Sequence, residues 1–121
     1  MTEHEQPPNA AVEVVVDTID LTEAAEDLST EANLATSGRA SRLLVSGEHQ
    51  RAVLMAFDAG AKLADHDSPK AATLQVISGE VELVAGAQKW RILAGQLVSI
   101  PPLRHSLGAV EPSVVILTVA L

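Results

Sequence analysis

"GAKLADHDSPKAATLQVISGE", residues 60–80, decides how this chain is read. His66 stands between Asp65 and Asp67, just ahead of Pro69, and an apolar, β-branched run then leads to a glycine turn at Gly79. Alternation along that run sends Ala72, Leu74 and Val76 to one face and Thr73, Gln75 and Ile77 to the other. The same texture extends on both sides. Strand-like runs appear at "RLLV", "RAVLMAF", "ATLQVI", "VELVA", "RILA", "LVSI" and "SVVILTVAL". They are punctuated by "SGEHQ", "DAGA", "SGE", "AGAQ", "AGQ", "IPPL" and "VEPS". Many short strands at close spacing, with no crossover helices, predict an antiparallel sandwich or barrel.

Upstream the period changes. In "DLTEAAEDLSTEANLATSG", Leu21, Ala25, Leu28, Ala32 and Ala35 recur at helical spacing, which predicts a helix near residues 20–36. Asp20 with Glu23 reads as a capping box and Gly38 as the C-cap. Glu23, Glu26, Asp27 and Glu31 fall mainly on the other face. Such a helix packs across the outside of the domain, or serves as a lid or dimer arm. "AVEVVVD" before it is β-branched and predicts a short strand, while residues 1–10, with Pro7 and Pro8, predict a mobile tail. The expected organisation is a tail at 1–10, a strand-and-helix arm at 11–38 and a barrel domain at 39–121.

Composition narrows the function. At 121 residues, with 47% hydrophobic and 20% charged residues, the chain suits one globular domain. A net charge of −8 with no basic cluster repels phosphate backbones, so nucleic acid is not an expected partner. The only aromatic rings of Phe, Trp or Tyr are Phe57 and Trp90, too few for a base-stacking or typical sugar-binding surface. No apolar run approaches the roughly 20 residues of a membrane helix. "MTEHEQPPNAAVEVVV" has neither a basic nor an apolar leader region. With no cysteine, disulfides, thiolate nucleophiles and zinc–thiolate sites are out, and the expected location is cytoplasmic.

Two stretches together resemble the cupin superfamily. Its first motif has the form G-x5-H-x-H-x3,4-E-x6-G; here Gly60 is followed after five residues by His66, and Gly79 closes the motif. Its second has the form G-x5-P-x-G-x2-H-x3-N; in "GQLVSIPPLRHSL", Gly95 is followed after five residues by Pro101, and His105 comes one residue before the motif histidine. The resemblance covers roughly residues 40–121, and the chain also looks like small single-domain cupins with "HD-x-P" and "RHSL" elements. It implies an all-β, cupin-type antiparallel β-barrel (a double-stranded β-helix, or jelly roll) with one N-terminal helix. It also implies a divalent transition metal, such as iron, manganese, nickel or zinc. The departures are specific. The second histidine of the first motif falls on Ser68, the glutamate on Ala72 or Thr73, and the asparagine of the second motif on Ala109. His66 and His105 are the metal ligands that remain, where a mononuclear site asks for at least three.

The candidate pocket is therefore His66 and His105 with Ser68, Ala72, Leu74, Val76 and Leu107. Arg104 is a candidate anchor for a ligand carboxylate, or else a surface partner of Glu111 or Asp67. Asp65 and Asp67 alternate away from the interior if His66 points inward. His4, in the tail, and His49, in a hairpin turn, read as surface residues, and Trp90 as a filler of core or interface. Ser68, Ser99 and Ser106 lack the context of a serine nucleophile. Two functions remain. One is a small-molecule-binding or accessory module with an incomplete metal site. The other is a metal-dependent enzyme of dioxygenase or isomerase type, with water or substrate completing the sphere of His66 and His105. A sensor tied to transcription would need a DNA-binding module for which this acidic chain has no room.

A homodimer is expected. "AVEVVV" has little reason to stay exposed, and "SVVILTVAL" is apolar on both faces. A two-fold contact through an outer sheet face, with or without the 12–16 strand, would bury on the order of 1,200 Å² or more. Light scattering at micromolar concentration should return twice 12.7 kDa; a monomer mass persisting to high concentration rejects the dimer.

Overall fold

The computed structural model describes residues 13–68 and 70–121. A helix, α1 (Leu21–Leu34), precedes nine strands: β1 (Arg39–Ser46), β2 (Gln50–Phe57), β3 (Lys62–His66), β4 (Ala72–Ser78), β5 (Glu80–Ala85), β6 (Gln88–Leu93), β7 (Leu97–Ser99), β8 (His105–Ala109) and β9 (Ser113–Ala120). They form a five-stranded sheet in the order β1-β2-β9-β4-β7 and a four-stranded sheet in the order β3-β8-β5-β6. The strand pairs are antiparallel. This is the jelly-roll barrel the sequence predicts, with the helix where the period change puts it.

Two cores follow from the period of two. Inside the barrel, Phe57, Leu74, Val76 and Val115 of the larger sheet meet Val81, Leu83, Ile92 and Leu107 of the smaller one. On the outside, Leu54, Ala56 and Val114 meet Ala24, Leu28 and Ala32 of α1. Strand β9 is central in its sheet, with Val114 and Ile116 toward the helix and Val115 and Leu117 toward the barrel. That double covering is why its sequence is apolar on both faces. The helix begins at the expected cap, with the Asp20 carboxylate accepting the Glu23 N–H at 3.1 Å, which is the Asp20 half of the capping box. Two of its three buried residues are alanines, so it lies close against the sheet.

Three expectations need correction. The helix ends at Ala35, which has ordinary extended dihedrals, and Gly38, at φ +70°, forms the following turn instead of the C-cap. Residues 13–20 carry no regular element, so the described part of the expected 11–16 strand is not a strand; Val14, Val15 and Val16 are exposed. Residues 11 and 12, like the tail at 1–10 with His4, lie outside the described residues. Strand β3 is absent from the apolar runs read in the sequence, because Leu63 and Ala64 are its only apolar residues. Among the described residues, no helix is long and apolar enough to cross a membrane.

Gly79 marks where the chain leaves one sheet for the other. Its φ is +84°, and a Cβ there would overlap the Ser113 side chain and the Pro112 carbonyl. Ser113, buried, binds the far side of the turn: its hydroxyl accepts the Glu80 N–H at 3.0 Å and lies 2.7 Å from the Glu111 carbonyl. Gly79→Ala therefore combines a left-handed backbone cost with a backbone clash. It should destabilise the chain by more than about 3 kcal/mol, read as a lower midpoint in urea unfolding. A loss below about 1 kcal/mol rejects the close approach.

Candidate functional site

The site is built by two neighbouring strands of the smaller sheet. Strands β3 and β8 pair Leu63 with Leu107 and His66 with His105, and the register shifts between the two pairs. The shift is a β-bulge in β3. It places Leu63 and His66, three residues apart, on the same inward side, where plain alternation would pair Leu63 with Asp65. Asp65 and Asp67 consequently face solvent, and the imidazoles of His66 and His105 meet edge to face, with ring centroids 4.4 Å apart and planes at 67°.

Each ring is tied to its own strand in the same way. His66 Nδ1 lies 2.9 Å from the Ala64 carbonyl, and His105 Nδ1 lies 2.7 Å from the Leu103 carbonyl. A carbonyl oxygen only accepts, so in both rings Nδ1 carries the hydrogen and donates it. The hydrogen-bonded neutral form therefore keeps its lone pair on Nε2 in both residues. His105 is 4% exposed, so one of these lone pairs lies inside the protein.

Both rings line a cavity of about 40 Å³. Of the residues expected there, Ala72, Leu74 and Leu107 line it with the two histidines. Three do not. Val76 is fully buried deeper in the barrel core, because alternation gives a residue's face but not its depth. Ser68 is half-buried and is not among the lining residues. Arg104 turns outward, donating to the Asp67 carboxylate at 3.1 Å and to the Asp65 carbonyl at 3.2 Å. That is the surface partnership open from the sequence, with Asp67 and not Glu111. Sequence reasoning missed Met55, Leu63, Leu83, Ile100 and Leu117 in the lining. Of these, alternation in "VELVA" offered a signal for Leu83; the others depend on non-local register. Trp90 packs against the barrel core, and His49 sits exposed beside Glu48.

The metal implied by the resemblance does not fit this donor set. Among the described residues, no three His, Cys, Asp or Glu side chains gather at one point. Ala72 contributes a methyl wall where a carboxylate would be needed, and Asp67 is engaged by Arg104 outside the cavity. What the arrangement offers is two hydrogen-bond acceptors in an apolar recess.

No family model matches the sequence, and no curated protein matches it. Solved structures do. A conserved protein of unknown function from Streptococcus pyogenes is 28% identical, over 71% of this chain and 76% of that one, with a TM-score of 0.64. KdgF from Halomonas sp. is 25% identical, over 68% and 79%, with a TM-score of 0.60. An RmlC-like cupin from Shewanella frigidimarina is 22% identical, over 69% and 77%, with a TM-score of 0.63.

The tautomer assignment has a direct check. In long-range nitrogen–proton spectra of the neutral imidazoles, both His66 and His105 should show hydrogen on Nδ1 and a bare Nε2. Nε2–H in either ring rejects the carbonyl tether for that residue.

Proposed function

We propose that this chain, which is a small cupin domain, is a binding module without turnover, holding a small molecule at the mouth of its barrel. The observation that supports this is the pair of tethered imidazoles, presenting Nε2 acceptors to an otherwise aliphatic recess. Aliphatic walls remove apolar surface of a ligand from water, and two acceptors select for a donor group at one end. The preferred ligand has an apolar body and a hydroxyl or N–H that reaches the histidine pair. A homodimer belongs to the same reading. Because α1 covers the outer face of β1, β2 and β9, its contact falls to the edge strand β1, where Leu43 and Val45 are exposed.

A second reading is a metal-dependent enzyme of dioxygenase or isomerase type. The free Nε2 pair suits it; a donor set short of three does not. Elemental analysis of protein purified without an affinity tag separates the two, and stoichiometric iron, manganese, nickel or zinc overturns the binder.

Titration of isotope-labelled protein with phenol and short aliphatic alcohols tests the favoured reading. Binding should move the His66 and His105 side-chain nitrogens first. His66→Ala and His105→Ala should each weaken it about three- to tenfold, the effect of one neutral hydrogen bond of roughly 0.5–1.5 kcal/mol. Binding that leaves both imidazoles unmoved rejects the proposed site.

A further inference from the structure

We propose that the ligand enters through the seam between β1–β2 and β3, and that Arg39 holds a carboxylate there. The molecule this barrel takes is then a short aliphatic carboxylate carrying a hydrogen-bond donor at its far end. This rests on the binding reading above and names its ligand class.

Size is the first reason. A cavity of about 40 Å³ is well below the roughly 300 Å³ at which ordinary small-molecule sites begin, so an organic ligand cannot be held at the histidines alone. A second recess of about 180 Å³ adjoins it, lined by Ser37, Arg39, Ala40, Ser41, Met55 and Leu63. Met55 and Leu63 line both spaces and so form the partition between them. Methionine is the most adaptable apolar side chain for such a position, with three rotatable side-chain bonds and no branch.

The seam is the second reason. Strands β1 and β3 are edges of different sheets, and no ladder joins them. Among the described residues one hydrogen bond spans the seam: Arg39 Nη1 donates to the Lys62 carbonyl at 2.9 Å. Side chains can therefore part here without breaking a sheet.

Charge is the third. Arg42 is paired with Glu31, Arg91 with Glu80 and Glu82, and Arg104 with Asp67. Arg39 and Arg51 make no ion pair with any described residue, and of the two Arg39 lines this recess; a guanidinium has five N–H donors, of which the Lys62 carbonyl takes one. The planar fork that remains matches a carboxylate. A carboxylate at Arg39, an aliphatic spine passing Met55 and Leu63, and a hydroxyl at the imidazoles place each part of one molecule against a group of its own kind.

The test compares three ligands of one length, 6-hydroxyhexanoate, hexane-1,6-diol and 6-aminohexan-1-ol, titrated into the full labelled chain. The hydroxy acid should bind about tenfold tighter than the diol, as expected for one charge-assisted hydrogen bond, and should move the Arg39 and His66 side-chain signals together. Arg39→Gln should erase that tenfold advantage of the hydroxy acid over the diol, while Arg39→Lys should keep part of it. The wild-type comparison stands even if a variant fails to fold. Equal binding of hydroxy acid and diol, with both sensed at His66 and His105, overturns the Arg39 anchor and leaves the binding reading in place. Tighter binding of the amine shows that the overall charge of −8 governs, and overturns the anchor as well. No binding of any of the three overturns both.

Discussion

One extra residue in β3 determines what this barrel can hold. Without the bulge between Leu63 and His66, the two-residue period would turn Asp65 inward and His66 outward. A carboxylate would then stand beside His105 in an aliphatic recess, and desolvating it without a partner is costly. With the bulge, the inward positions are an aliphatic chain and an imidazole, and both aspartates stay in water. The exposed Asp67 can then hold Arg104, which joins the segment after β3 to the segment before β8 on the outside of the same strand pair.

The two histidines are oriented by backbone carbonyls only two residues away, not by other side chains. A ring held in this way needs no second shell of polar residues around it. That is how a recess otherwise walled by Leu74, Leu83 and Leu107 can contain two imidazoles without further buried polar groups to satisfy. The same economy leaves both Nε2 atoms outside the carbonyl tethers.

How much of this was legible in the sequence depends on how local the cause was. The helix was legible because its signals lie within it: the Asp20 cap and the four-residue spacing of Leu28 and Ala32. Strand β4 was legible because one of its faces meets the barrel core, so buried Ala72, Leu74 and Val76 alternate with exposed Thr73 and Gln75, up to the half-buried Ile77. Strand β3 was not, since pairing with β8 holds it in place more than its own composition does. The site divides the same way. His66 and His105 stood out through glycine and proline spacing, but Met55, Ile100 and Leu117 reach the cavity through cross-sheet register, which no local pattern encodes. For Arg104 the sequence left both a pocket role and a surface pair open, and its bond to Asp67 depends on how the segments flanking β3 and β8 meet, which no local pattern encodes.

The separation of the two cores has a consequence for motion. The layer between α1 and the outer sheet face rests on Ala24, Leu28 and Ala32, whereas the barrel interior is closed by both sheets. The thinner layer can open without disturbing the thicker one. Amide exchange should therefore fall into two tiers, with α1 releasing its protons in a partial opening and the central strands β9 and β4 only on global unfolding. The cavity belongs to the slow tier, so the helix can be lost to local fluctuation, or to a protease, while the histidine pair keeps its shape.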